Sequence, residues 1–443
     1  MSAIDLWCRR LESQDRDFVE LVVMSFRKLS EQDLKRLFMA IAPNQHLRTL
    51  SLCGQRIDSG VVQNLTYMLK NNNALTNIEF GNNVLGELVS LEEFKAVCEA
   101  VFQHPALQSW SLDRKGLTEQ HAEILAQIIG ASGNTSNITS LVLSRNALND
   151  TALRSLRKAF ILPFTHVQNL DLSDNKLVHV TALIDLLADE RCRLQSLDLS
   201  GNPLALDAAK AIGWDIAGNQ HMRMVYLNST RSDECGNVGD MFLSGLASVT
   251  PHSKHALTHI GLRDTGVSDT GMSYLSEYLS SLSLRSTTPD SLDAAQQKIP
   301  AISLDLSMNS VTDSGLNLVV STDVVERMNL NENKISAKSY RYVIDSCCVF
   351  VHRLDFCGNS WNAFPVDFDT DVFRPKQSVL QHVDLSACQI HLNLEALMAF
   401  EQLFQCVSSL KVLELGGNTI SEDVNIEIWT SNMKSKYNIE LRF

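Results

Sequence analysis

Residues Val167–Leu177 read VQNLDLSDNKL and residues Leu194–Leu204 read LQSLDLSGNPL, and the two stretches share one pattern, L-x-x-L-x-L-x-x-N-x-L with any aliphatic residue at its ends. The pattern returns at Ile138–Leu148 (ITSLVLSRNAL) and Leu410–Ile420 (LKVLELGGNTI). Weaker copies start at Leu47, Leu75, Leu107, Met222, Leu257, Ala301, Val325, Val351 and Leu380, which makes thirteen copies with a mean period of about 30 residues. Within a copy the apolar side chains alternate, the period of a strand with one buried face. Between copies, stretches such as Thr151–Phe160 (TALRSLRKAF) and Ser268–Leu279 (SDTGMSYLSEYL) place apolar residues three and four apart, the period of a helix.

One strand and one helix cannot cover their own apolar faces, so each unit needs neighbours and stacking creates the core. Ile138, Leu141, Leu143 and Leu148 are expected to point inward, each contributing about 1.5–3 kcal/mol on full burial. Strands pack about 4.8 Å apart and helices about 8–10 Å apart, which predicts a stack bent into a horseshoe, with parallel strands on the concave face and helices on the convex face. The Asn of the pattern falls where the chain leaves the strand and its backbone groups lose ladder partners; an amide supplies both donors and an acceptor there. Asn83, Asn146, Asn175, Asn202, Asn309, Asn333, Asn359 and Asn418 keep it. Gln55, Thr230, Thr265 and Cys388 are expected to replace it only in part, and Lys115, which has no acceptor, predicts a local irregularity. Residues 1–46 read as an N-terminal helical cap with a degenerate repeat, 47–420 as the thirteen repeats, and 421–443 as a C-terminal closing unit in which NIELRF alternates like a further strand.

These residues resemble the ribonuclease-inhibitor-like class of leucine-rich repeats over roughly Leu47–Phe443. The resemblance implies an α/β solenoid and, for most members of the class, protein binding rather than catalysis. Compared with ribonuclease inhibitors the spacing is irregular, and the acidic tail typical of Ran GTPase-activating proteins has no counterpart in Ser421–Phe443. That irregularity looks like the repeat proteins built into ciliary or cytoskeletal complexes. A regulator of a small GTPase is the alternative.

The 443 residues carry 51 acidic against 38 basic side chains, a net charge of −13. This balance disfavours nucleic acid and anionic membrane and favours protein partners with a basic surface. No signal-peptide core opens the chain, no run of about 18 apolar residues follows, and ten cysteines form no C-x-x-C pair. An intracellular, cytoplasmic protein with reduced thiols is expected. No P-loop, G-x-S-x-G or H-E-x-x-H run occurs, so neither an enzyme nor a cofactor is expected.

Weaker signals read as ordinary structure. Asp367–Asp371 (DFDTD) lacks the Gly and Glu of a calcium loop, and His252 with His255 lacks the further ligands of a zinc site. Cys347 and Cys348 read as small apolar residues. Ser280–Pro300 and Phe364–Ser378 read as loops inserted into the repeat, tolerant of drift and available for contacts. The candidate partner surface is the outward column at the fifth place of each copy: Ser51, Glu79, Ser111, Val142, Asp171, Asp198, Tyr226, Gly261, Asp305, Asn329, Asp355, Asp384 and Glu414. Seven members are acidic and none is basic, while Tyr226 is the one aromatic anchor. Arg263, Arg327 and Arg353 flank the column and are expected to pair with nearby carboxylates.

Overall fold

The computed structural model describes residues 2–81, 84–132, 136–160, 166–234, 236–248, 257–283, 301–319, 324–340, 342, 350–364 and 378–443. Asn83, His252, His255, Cys347, Cys348, Asp367–Asp371 and all but the start of the Ser280–Pro300 insert lie outside them, as does the interior of Phe364–Ser378. The chain divides into two compact units, Met1–Pro203 and Leu204–Phe443.

In the first unit every copy of the pattern forms a short strand followed by a helix. The strands are β1 (Glu20–Val23), β2 (Thr49–Leu52), β3 (Asn77–Glu79), β4 (Ser109–Ser111), β5 (Ser140–Val142), β6 (Asn169–Asp171) and β7 (Ser196–Asp198). They pair in parallel, in chain order. The helices are α1 (Ala3–Glu12), α2 (Glu31–Ile41), α3 (Val62–Asn71), α4 (Leu85–Leu88), α5 (Leu91–Phe102), α6 (Glu119–Ser132), α7 (Asp150–Phe160) and α8 (Thr181–Leu187). Ser2, Ser30 and Ser90 open α1, α2 and α5 with capping boxes, each Ser hydroxyl accepting from the backbone three residues on while that residue's carboxylate accepts from the Ser N–H.

The second unit repeats the plan. Its helices are α9 (Leu206–Gly218), α10 (Val238–Ala247), α11 (Asp269–Ser283) and α12 (Asp313–Val319), followed by Leu394–Cys406 and Ile426–Tyr437. Its strands are β8 (Met224–Tyr226), β9 (His259–Gly261), β10 (Ile302–Asp305), β11 (Val325–Asn329), β12 (Arg353–Asp355), β13 (His382–Asp384), β14 (His391–Leu392), β15 (Val412–Glu414), β16 (Thr419–Ile420) and β17 (Glu440–Arg442). All but β14 and β16, which pair with each other, form one parallel row. The fold is an α/β solenoid with strands in one layer and helices in the other. Ile138, Leu141, Leu143 and Leu148 are buried between the layers, as their spacing predicts. Among the described residues no helix is long and apolar enough to cross a membrane.

Three polar ladders tie successive repeats. The Asn309 amide shows the first: its NH2 donates to the carbonyls of Leu262, Leu306 and Ser307, and its oxygen accepts from the N–H of Thr265 and Val267. Asn146, Asn175, Asn202, Asn333, Asn359 and Asn418 likewise donate to a carbonyl of the repeat before and accept from its N–H. Gln55 does more than the partial replacement expected of it. Its longer side chain still donates to the Arg27 and Cys53 carbonyls and accepts from Leu29 N–H. Thr265 and Cys388 supply only a donor, to the carbonyls of Leu262 and Phe356. Lys115 donates to the carbonyls of Gly81 and Asp113 and is buried with its ammonium. Burial lowers its pKa to about 8 against the pull of Asp113 and Glu79. The extra helix α4 lies in the repeat before this place, and its Gly86 N–H donates to the Lys115 carbonyl at 2.7 Å.

The second ladder lies three residues before a strand-bearing copy. Asn44, Asn72, His104 and Asn219 each accept from two backbone N–H groups at the start of the next copy. The third runs through the second unit at the entry to the helices. Asp240 accepts from the N–H and hydroxyl of Ser268, Asp269 from those of Thr312, and Asp313 from those of Ser336.

A backbone turn accompanies the Asn ladder. In the twelve copies where it is described, the residue before the Asn place has a positive φ: Gly54, Arg114, Arg145, Asp174, Gly201, Ser229, Asp264, Met308, Glu332, Gly358, Ala387 and Gly417. Eight of these are not glycine, so the turn is imposed by the stack rather than by local preference.

Candidate functional site

The outward column is a row of side chains in lateral register. In the first unit Ser51 pairs with Glu79, Ser111 with Val142, Val142 with Asp171 and Asp171 with Asp198. In the second the register runs Tyr226, Gly261, Asp305, Asn329, Asp355, Asp384, Glu414 and Arg442.

The aspartates of this row have a local task. Asp171 Oδ1 accepts from the N–H and hydroxyl of Ser173, at 2.9 and 2.7 Å. Asp305 does the same with Ser307, while Asp198 and Asp384 accept from the N–H of Ser200 and Ser386. The recurring L-D-L-S is therefore in part a turn device in which one carboxylate oxygen orders the strand exit. Among the described residues Asp171, Asp198, Asp305 and Asp384 form no ion pair.

Charge compensation varies along the row. Among the described residues Asp171 and Asp198 form no ion pair, and Glu79 accepts only from the Ser51 hydroxyl, at 3.2 Å. Burial, reinforced by the neighbouring carboxylates of Asp171 and Asp174, pushes the Asp198 carboxyl above its ordinary value against the bonds from Ser200. In the second unit Arg353 Nε holds both oxygens of Asp355 at 2.9 Å. Glu414 Oε1 lies 2.9 Å from His382 Nε2 and 3.1 Å from Arg442 Nη1.

The expectation that all three flanking arginines pair with carboxylates holds for Arg353 alone. Arg263 turns its guanidinium to the Met308 thioether, and Arg327 is exposed with no ion pair among the described residues. Tyr226 lies half-buried against Gly261, where an added Cβ would come within 2.7 Å of its ring; glycine at that place makes room for the ring.

Two arrangements had not been singled out. Arg145 forks onto both oxygens of Asp113, the pairing having been hidden because both residues lie beyond the strands, in successive turns. Beside them a cleft of about 290 Å³ is lined by Ser25, Cys53, Glu79 and Ser111, with Lys28 bound to the Gly54 carbonyl at its rim. The buried Lys115 feels the charge of Glu79, and the Arg145–Asp113 pair also lines the cleft, so acids and bases offset each other there.

A family model described as Leucine Rich repeat matches residues 192–213. The chain is 27% identical to NACHT, LRR and PYD domains-containing protein 5 of Bos taurus over 310 residues, 65% of this chain and 26% of the relative. It is 29% identical to NACHT, LRR and PYD domains-containing protein 3 of Mus musculus over 162 residues, 36% of this chain and 15% of the relative. The chain thus spans about a quarter or less of the length of these relatives. Among solved structures, a leucine-rich-repeat protein of Leptospira interrogans aligns with a TM-score of 0.47 and 15% identity, covering 98% of each chain. An internalin of Listeria monocytogenes aligns with a TM-score of 0.42 and 16% identity, covering 94% of this chain and 84% of that one.

Proposed function

The chain is a leucine-rich-repeat protein, and we propose that it is a non-catalytic scaffold holding a protein partner of basic surface within a multiprotein assembly. The observation that carries this reading is the pair Asp171 and Asp198. The two carboxylates lie in register on adjacent strands, neither forms an ion pair among the described residues, and Arg145, which feels the charge of Asp171, is itself forked onto Asp113. Like charges opposite each other in a sheet destabilise it, and a basic side chain from outside would relieve that repulsion. The remaining acidic members of the row, Glu79, Asp305, Asp355, Asp384 and Glu414, would extend the field that steers such a partner, with Tyr226 as an apolar anchor and Arg263 beside it.

The test is the double variant Asp171→Asn/Asp198→Asn, which keeps the oxygen that accepts from Ser173 and Ser200 and removes two charges. A fluorescein-labelled peptide of alternating lysine and serine, followed by anisotropy at low salt, should bind the parent and associate several-fold more slowly with the variant, at unchanged melting temperature. Equal association rates would refute the assignment. Affinity capture followed by mass spectrometry would then name the natural partner.

A further inference from the structure

The strand row begins at β1, and among the described residues no strand pairs with its outer edge. The Val19 carbonyl accepts from the N–H groups of Arg48 and Thr49 where β2 begins. In a parallel pair alternate residues turn their backbone groups to opposite sides, so Leu21 and Val23 also address β2. The N–H and C=O groups of Glu20 and Val22 therefore point to the open edge. The exposed side chains there are largely apolar: Val19, Val22 and Met24 are about half exposed and Phe26 is 81% exposed. Edge strands that stay single are usually blunted by lysine, proline or a bulge; Glu20–Val23 has none of these and one charge, Glu20.

Two observations select what covers this edge. Each Asn of the ladder accepts from loop N–H groups of the repeat in front of it, as Asn309 does from Thr265 and Val267. The turn after β1 instead holds Phe26, Arg27 and Lys28, whose side chains carry no acceptor. A further repeat stacked in parallel on β1 would have its loop N–H groups unmet, which argues against an occupant of that kind. The second observation is the order of charges. Asp17 and Glu20 stand at the start of the strand and Arg27 and Lys28 beyond its end, all exposed and without an ion pair among the described residues. A second β1 laid antiparallel sets the acids of each strand toward the bases of the other, whereas one laid parallel sets like against like.

We infer that the open edge of β1 is the contact between two copies of this chain, paired antiparallel about a twofold axis. Glu20 of one copy exchanges main-chain hydrogen bonds with Val22 of the other, and Val22 with Glu20, so the contact is self-complementary and closes at two copies. Val22, whose register partner in β2 is the polar Ser51, leaves water there together with Met24 and Phe26. The contact uses β1 and its turn alone and is independent of the Asp171 and Asp198 reading.

Sedimentation equilibrium of the full chain between about 1 and 100 µM, the range of small and weak interfaces, should show a monomer passing to a dimer. Val22→Lys places a charge on the edge and should raise the dissociation constant at least tenfold. Phe26→Ser, at a side chain too exposed to hold the fold, should raise it several-fold at unchanged melting temperature. Arg27→Glu should weaken the dimer and Arg27→Glu combined with Asp17→Arg should restore it, as antiparallel strands require. A chain that stays monomeric throughout, or a dimer indifferent to both Val22→Lys and Phe26→Ser, would overturn the proposal. Polymers that lengthen with concentration would overturn the twofold axis in favour of head-to-tail stacking, and failure of the Asp17→Arg rescue would overturn the antiparallel pairing.

Discussion

Replacing Asn309 with alanine isolates what one rung of the Asn ladder contributes. The side chain is 8% exposed and makes five hydrogen bonds, with donor distances of 2.7, 3.0 and 3.1 Å to Leu262, Leu306 and Ser307 and acceptor distances of 3.1 and 2.9 Å from Thr265 and Val267. The carbonyls each have a second lone pair and tolerate the loss; the two N–H groups have none to spare. An unsatisfied buried N–H costs about 1–3 kcal/mol, so the pair predicts a loss of about 2–4 kcal/mol after some relaxation and water entry. A stacked array need not unfold in one step, so the readout should be local. Hydrogen exchange at the Thr265 and Val267 amides should accelerate by roughly one hundredfold, the equivalent of about 2.8 kcal/mol. Thr265→Val, which removes only the 2.8 Å bond to the Leu262 carbonyl, should cost about 1 kcal/mol. Exchange of both amides within twofold of the parent in Asn309→Ala would refute the view that this ladder holds the repeats together.

Two further outcomes follow from the other recurring features. His104 accepts from Ala106 and Leu107 through Nδ1, and burial lowers its pKa from 6.5 to about 4, so between those values the unfolded chain binds the extra proton. Stability present above pH 6.5 is therefore lost as the pH falls through 4, by roughly 2–4 kcal/mol in full, and urea melts of His104→Asn, which matches Asn44 and Asn72, should lack that share of the loss. Met308 holds φ at 56°, so Met308→Gly should raise the melting midpoint by relieving about 1 kcal/mol of strain, while Gly201→Ala should lower it, because φ there is 68° and the new Cβ would lie 2.1 Å from Asp174 Oδ1. Opposite shifts would show the turn to be indifferent to side chains.

The strands and the Asn column were legible because the same residue type returns at the same place, and repetition averages away local exceptions. The positive-φ turn was not, since eight of its twelve described members, among them Arg114 and Met308, are residues that seldom choose that conformation alone. The ladder of Asn44, Asn72 and His104 lay upstream of the copies, and its chemistry is shared by an amide and an imidazole that look unrelated in a sequence. The acidic column was placed correctly by its period of two, yet its compensation was not: whether Arg353 or Arg327 finds a carboxylate depends on where a long side chain lies, which periodicity does not encode. That Arg327 and Arg353, read as flanking the column, stand side by side depends on the lateral register, a property of neighbouring copies rather than of any one.

The Asn ladder has a direction. Each amide is carried by one repeat but satisfies the exposed backbone of the repeat before it, as Asn309 does for Thr265 and Val267. When a seam between two repeats opens, the losses are unequal: the later repeat keeps a side chain that can turn to water, whereas the earlier one is left with stranded N–H groups in its own loop. Peeling toward the N-terminal side therefore weakens each repeat in turn as its successor leaves, while peeling toward the C-terminal side does not. The same asymmetry makes a repeat a self-contained module of growth, because a duplicated copy brings with it the connector that fastens it to whatever precedes it.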